Sequence, residues 1–202
     1  MRQNDFIQFD TLNQMDPSEV ALTQELVVGF FGTPHPEVIF DGVYFHERRF
    51  PFTIYTDPDN PKQVAVCLPE HQADDGLARF FHLTHELVHC LTPNGPQTGQ
   101  ATVLEEGLAE HAKIYLVEQF FQSRYEGVDF RTMTAGDYRA AFDMVEELVA
   151  VYGLQEMRQI VTAMRMETLL PFAHIGPVIL RHYFPRCRTE LLVALGSPFH
   201  KS

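Results

Sequence analysis

The spacing of apolar and polar residues changes period along this chain, and each change predicts a change of element. Asp16-Pro17-Ser18-Glu19 reads as a helix start, with Asp16 as cap, Pro17 in the first turn and Glu19 completing a capping box. The helix it opens is predicted to run to about Phe31, where Gly32, Pro34 and Pro36 break the pattern. From residue 37 to residue 68 the chain becomes β-branched and aromatic, in Val38-Ile39-Phe40, Val43-Tyr44-Phe45, Phe52-Thr53-Ile54-Tyr55 and Val64-Ala65-Val66. These segments predict three or four short strands. Asp57-Pro58-Asp59-Asn60-Pro61 lies between the last two; its prolines cannot serve a central ladder, so a hairpin loop is expected there, within a small and mostly antiparallel sheet.

After Pro69 the period becomes helical. Leu77, Phe80, Phe81, Thr84, Val88 and Leu91 follow one stripe of a helix predicted over about 73–91. Leu83, Leu87 and Cys90 widen that stripe until only His82, His85, Glu86 and His89 form a polar strip, the pattern of a helix buried in the middle of a domain. Thr92-Pro93-Asn94-Gly95-Pro96 stops it. A second helix is predicted from about Gln100 to Gln122, with Leu104, Leu108, Ala112 and Tyr115 on one stripe and Glu106 and Glu110 on a neighbouring one. The remainder, to about Leu195, is helical with breaks at Gly153, Pro171 and Pro185. The expected class is α+β: one domain over residues 1–202, with sheet and first helix up to about 70, two central helices over about 73–122, and a helical C-terminal part over about 134–196.

Composition narrows the function classes. A 202-residue chain that is 45% hydrophobic and 21% charged suits one globular domain and sets disorder aside. Its net charge of -12 argues against nucleic acid, because phosphate binding needs clustered Lys and Arg, and Arg48-Arg49 and Arg186-Cys187-Arg188 are too short to serve. No long apolar run follows Met1, so neither a secretory leader nor a membrane span is expected, and the default compartment is the cytoplasm; export without a leader would leave the same sequence. Cys67, Cys90 and Cys187 are odd in number and widely spaced, which predicts buried reduced thiols.

His85-Glu86-Leu87-Val88-His89 is an H-E-x-x-H pattern. Residues four apart share a helix face, so both imidazoles can reach one cation. Glu86, one residue on, points beside that cation and can take a proton from a water that zinc acidifies from a pKa of about 16 towards about 7. The apolar residues between the histidines place the motif inside a strongly periodic helix. A buried helix whose histidines only hydrogen-bond is the bland alternative.

Catalytic zinc takes three protein ligands and keeps the fourth place open. Gly95 and Thr92 stand where a metzincin needs His and Gly, which excludes that subclass. Leu104-Glu105-Glu106-Gly107-Leu108-Ala109-Glu110, on the next helix, can bring a carboxylate back over the histidine face. Glu106 is the first choice and Glu105 the rival; they lie about 100° apart around the helix, so both cannot face the metal.

These residues resemble the gluzincins, the group of the thermolysin-like peptidases and zinc aminopeptidases, in which a ligand Glu follows H-E-x-x-H on a second helix, often in a Glu-Gly-x-Ala setting. Glu106-Gly107-Leu108-Ala109 looks like that setting, and the short interval from residue 90 to residue 105 implies a minimal version. The resemblance covers residues 77–112 or so. It implies Zn2+ held by His85, His89 and Glu106, Glu86 as general base, a peptide or protein substrate, and Glu110 hydrogen-bonded to a ligand histidine. A substrate strand along an edge of the sheet would suit that reading. Oxyanion stabilisation would fall to a downstream donor, with His174, His182 and Tyr183 as candidates. His82, one turn before His85, is expected at the surface or hydrogen-bonded, and His111 falls off the Glu106 stripe. The alternative class is a non-catalytic, zinc-stabilised binding or regulatory protein, which has no use for Glu86 as a base.

Overall fold

The computed structural model describes residues 11–96 and 100–200, and its class is α+β: seven α-helices and one three-stranded mixed sheet. The extreme N-terminus, where a leader would begin, lies outside the described residues. Helix α1 spans Pro17–Phe31. Asp16 caps it by accepting from the Ser18 backbone N–H at 2.8 Å and the Ser18 hydroxyl at 2.7 Å, while Glu19 is engaged with Arg79 at 3.1 Å.

The strands are β1 (Ile39–His46), β2 (Phe52–Tyr55) and β3 (Gln63–Pro69). The two segments around Phe40 and Val43 belong to one strand whose register shifts between them. β3 is central and fully buried from Val64 to Leu68. It pairs antiparallel with β2 from Phe52↔Cys67 to Tyr55↔Val64, closing the expected hairpin. Two short side-chain turns shape its loop, Asp57 accepting from Asp59 N–H and Asn60 from Lys62 N–H. The other ladder, β1 with β3, is parallel, so the sheet carries one ladder of each kind rather than mostly antiparallel pairing. Among the described residues no strand pairs with the outer side of β2.

Helix α2 (Gly76–His89) is capped by Asp75, which accepts from Ala78 N–H at 3.0 Å, and packs against β3, β2 and α1. Helix α3 (Val103–Phe121) runs through the centre between α2 and α4 (Gly136–Tyr152); α5 (Leu154–Thr168), α6 (Pro177–Tyr183) and α7 (Thr189–Leu195) complete the helical part. The core joins Phe31, Val66, Leu87, Leu108, Val145, Val161 and Leu195, and a smaller cluster forms around Phe81, Ile114, Phe130 and Phe142. Arg165, 1% exposed, donates to the carbonyls of Phe31, Thr33 and Leu91 and ties the C-terminal ends of α1 and α2 to α5. Cys67, Cys90 and Cys187 are buried free thiols, and no described helix is long and apolar enough to cross a membrane.

Candidate metal centre

Two helix ends build the site. The last turns of α2 present His85, Glu86 and His89, and the first turns of α3 present Glu105, Glu106 and Glu110. Thr102 caps α3 with its hydroxyl accepting from Glu105 N–H at 3.3 Å, which fixes Glu105 and Glu106 in the first turn, where the positive end of the helix dipole favours carboxylates.

His85 Nε2 and His89 Nε2 lie 3.1 Å apart, and Glu106 Oε2 stands 3.2 Å from the first and 3.6 Å from the second. The opposite nitrogen of each ring faces a different carboxylate: His89 Nδ1 is hydrogen-bonded to Glu105 Oε1 at 2.7 Å, and His85 Nδ1 lies 2.9 Å from Glu110 Oε1 as an ion-pair contact. An ionised carboxylate can only accept, so in the neutral form of each ring, the form that binds a metal, these contacts favour the hydrogen on Nδ1 and a lone pair on Nε2. Three acceptors therefore crowd one point. Glu106 Oε2 is shielded from solvent and has no hydrogen-bond partner among the described residues. Buried acceptors in mutual contact repel, and a shared cation removes the repulsion; His85, His89 and Glu106 are close enough to hold one metal ion.

The two outer carboxylates differ in their supports. Glu110 is paired with Lys113, whose Nζ is 2.5 Å from Oε1 and which also sits over the Phe81 ring. Glu105 Oε2 accepts from Asn94 Nδ2 at 2.8 Å, and Asn94 Oδ1 accepts from Ala173 N–H at 2.9 Å. The rival for the third ligand thus orients His89, and a loop residue ties it to the turn at 172–174.

Electrostatics follow from this crowding. Burial alone pushes the His85 and His89 pKa values down, yet the carboxylates around them overcome it and both are raised, most strongly His89. Burial likewise opposes ionisation of Glu106 and Glu110, but the facing histidines hold both well below the usual carboxylate range, Glu110 at about 2. Glu105, Glu106 and Glu110 surround the two rings, and a cation shared by those rings would balance the same carboxylates that raise them.

Glu86 is buried beside the triangle, and its Oε2 accepts from the Thr53 hydroxyl at 2.9 Å. Thr53 belongs to the edge strand β2, which places that strand next to the site. Cys90 Sγ lies 3.8 Å from the same hydroxyl, and burial pushes its thiol up to about 12, so it remains uncharged.

The phenol beside the histidines is that of Tyr138, on the first turn of α4, a residue that helical spacing gave no reason to select. Its ring meets His85 edge-on with centroids 5.9 Å apart and is backed by Phe199 at 4.9 Å. Burial, and then Glu106 and Glu86, push its pKa up to about 12, so it stays a donor at neutral pH. Gly107 brings α4 this close: a Cβ there would meet Ala141 O at 2.5 Å and Val145 Cγ2 at 2.7 Å.

Of the three downstream donors that the sequence offers, Tyr183 donates to Glu167 at 2.7 Å, His182 meets the Tyr183 ring edge-on at 5.0 Å, and His174 is exposed next to Ala173. His82 is near Gln72 Nε2 at 3.3 Å, and burial pulls its pKa down to about 4. His111 is fully buried away from the triangle, on Glu146. No family model matches the chain, and no curated protein and no solved structure matches it.

Proposed function

We propose that this chain is a zinc-dependent peptidase of the gluzincin kind, cleaving a peptide bond in a peptide or protein. The observation that carries the reading is the triangle of His85 Nε2, His89 Nε2 and Glu106 Oε2, with both Nδ1 atoms facing other carboxylates. Its edges of 3.1, 3.2 and 3.6 Å bracket the ~3.3 Å separation of ligand atoms around a tetrahedral ion with bonds of about 2.0–2.1 Å. Two imidazoles and one carboxylate suit zinc and its transition-metal neighbours better than calcium or magnesium, which take oxygen ligands. A structural zinc is closed by four protein ligands, whereas three are assembled among the described residues, the number a catalytic site uses.

Zinc held there would supply Lewis acidity to a water and to a substrate carbonyl. The chain's own residues do the rest. Glu86 takes the proton of the attacking water and returns it to the leaving amine, its carboxylate aimed by the Thr53 hydroxyl. Tyr138, held protonated, donates to the oxygen on which charge develops. Glu105 and Glu110 fix the tautomers of His89 and His85. The outer edge of β2 offers backbone groups to an extended substrate segment beside Glu86.

The test uses zinc-loaded protein, unfolded casein and a quenched-fluorescence peptide library. Wild type should cleave, and Glu86→Gln should keep its zinc while turnover falls about a hundredfold or more. Equal cleavage by the two proteins would rule out Glu86 as the base and with it the mechanism.

A further inference from the structure

Away from the metal centre, α1 and α5 enclose an open groove of about 550 Å³ lined by Gly29, Phe30, Leu154, Arg158, Gln159 and Ala163. Arg158 is the anomaly in it. Its guanidinium lies over the Phe30 ring at 3.4 Å and near Tyr115 at 5.3 Å, yet it makes no ion pair among the described residues. The carboxylate that acts on it, Glu146, is already engaged: Oε1 by His111 Nδ1 at 3.0 Å, and Oε2 by the Tyr115 hydroxyl at 3.2 Å, with Arg131 at 3.7 Å. Arg158 Nε and Nη2 are shielded from solvent and have no hydrogen-bond partner among the described residues, while the residue as a whole stays partly exposed along the groove. A half-desolvated cation with no ion pair of its own, sharing the field of Glu146 with His111 and Arg131, is costly to keep, and burial drags its pKa down to about 10.

Gly29 is a second, independent observation. It sits exposed inside α1, where glycine costs a helix about 1 kcal/mol against alanine, and a Cβ there would meet nothing within 4 Å. No packing in the fold asks for glycine at that position. What its missing side chain does is leave the groove open beside Arg158, next to the apolar wall of Phe30, Leu154 and Ala163.

We propose that this groove is a binding site for a small carboxylate with an apolar body, the carboxylate taken by Arg158 and the body laid across Phe30, Leu154 and Ala163 past Gly29. It is separate from the metal centre, and its occupancy does not depend on the peptidase reading. The cation supplies charge complementarity, and the shape admits a chain of several methylenes rather than a bare ion.

The experiment titrates full-length protein with octanoate, octanol and inorganic phosphate by calorimetry, while following backbone amides by NMR. Octanoate should shift amides of α1 and α5 and bind at least about tenfold more tightly than octanol or phosphate, the factor that a charge-assisted hydrogen bond combined with apolar burial supplies. Arg158→Gln and Gly29→Leu should each weaken octanoate about tenfold or more. Gly29→Leu replaces an exposed helix glycine and should fold with an equal or higher thermal midpoint, so its loss of binding cannot be blamed on unfolding. The proposal is overturned if octanoate fails to bind, if octanol or phosphate binds as well, or if both variants retain wild-type affinity. Amide shifts confined to α2 and the start of α3 would overturn it too, by placing the carboxylate on the metal site.

Discussion

Asn94 Nδ2 donates to Glu105 Oε2 at 2.8 Å, and through that bond the loop between α2 and α3 holds the carboxylate that orients His89. The same amide accepts from Ala173 N–H at 2.9 Å, so a segment far along the chain is tied to the ring of a candidate ligand. Asn94→Ala should leave the three ligand atoms in place but unlatch Glu105, lowering zinc affinity about 10- to 100-fold in a chelator competition. Unchanged affinity would show that Glu105 holds its position without the loop.

Tyr138 faces His85 from α4 with its phenol kept protonated by burial and by Glu106 and Glu86. Tyr138→Phe keeps the ring packed on Phe199 and removes only the hydroxyl. Turnover should fall about 10² to 10³-fold with KM and zinc affinity nearly constant. A rise in KM alone would assign the hydroxyl to substrate binding.

Gly107 sets the separation of α3 and α4. A methyl group there would strike the backbone oxygen of Ala141 at 2.5 Å, and backbone cannot move aside as a side chain can. Gly107→Ala should cost about 1–3 kcal/mol and lower the thermal midpoint by several degrees. Because the displaced helix carries Tyr138, hydrolysis should fall as well. An unchanged midpoint in differential scanning calorimetry would show that the helices have room to spare.

His111 contributes to the pH dependence of stability, alongside the other shifted groups. Its Nδ1 is bonded to Glu146, its Nε2 is buried without a partner among the described residues, and burial, with Arg158 and Arg131, outweighs Glu146 and holds its pKa below 6.5. The unfolded chain therefore binds a proton that the folded chain refuses. The neutral ring's contribution is complete above about pH 6.5 and is lost as pH falls below it. Glu146, also held below its ordinary value, acts in the same direction at lower pH. In urea titrations of the chelated protein, His111→Gln should lose less stability than wild type between about pH 7 and pH 5. Parallel curves would contradict this assignment.

How much of this was legible in the sequence depends on how local each feature is. His85 and His89 are one helical turn apart, so a period of 3.6 residues already put them on one face, and Glu106 followed from a second helix folding back after Pro93 and Pro96. Asp16, Gly153 and the 57–61 loop marked element ends through chemistry confined to a few residues. Features set by packing at long range stayed hidden. The parallel pairing of β1 with β3 is decided by where the chain returns, not by residue pattern. Glu105 was visible only as a competitor for the metal, because its bonds to His89 and Asn94 depend on how α3 sits against α2. Tyr138 could have been approached through Gly107, a glycine inside a strong helix that signals a close neighbour, but nothing local identifies the neighbour as α4.

The proposed chemistry needs one cation shared by His85, His89 and Glu106. Elemental analysis of protein purified without added metal measures this most directly, read together with His89→Ala and Glu106→Gln. One zinc per chain in wild type, with most of it lost in both variants, is the predicted result. Wild-type protein that holds no stoichiometric zinc and takes none up on addition, or variants that keep it, would contradict the account.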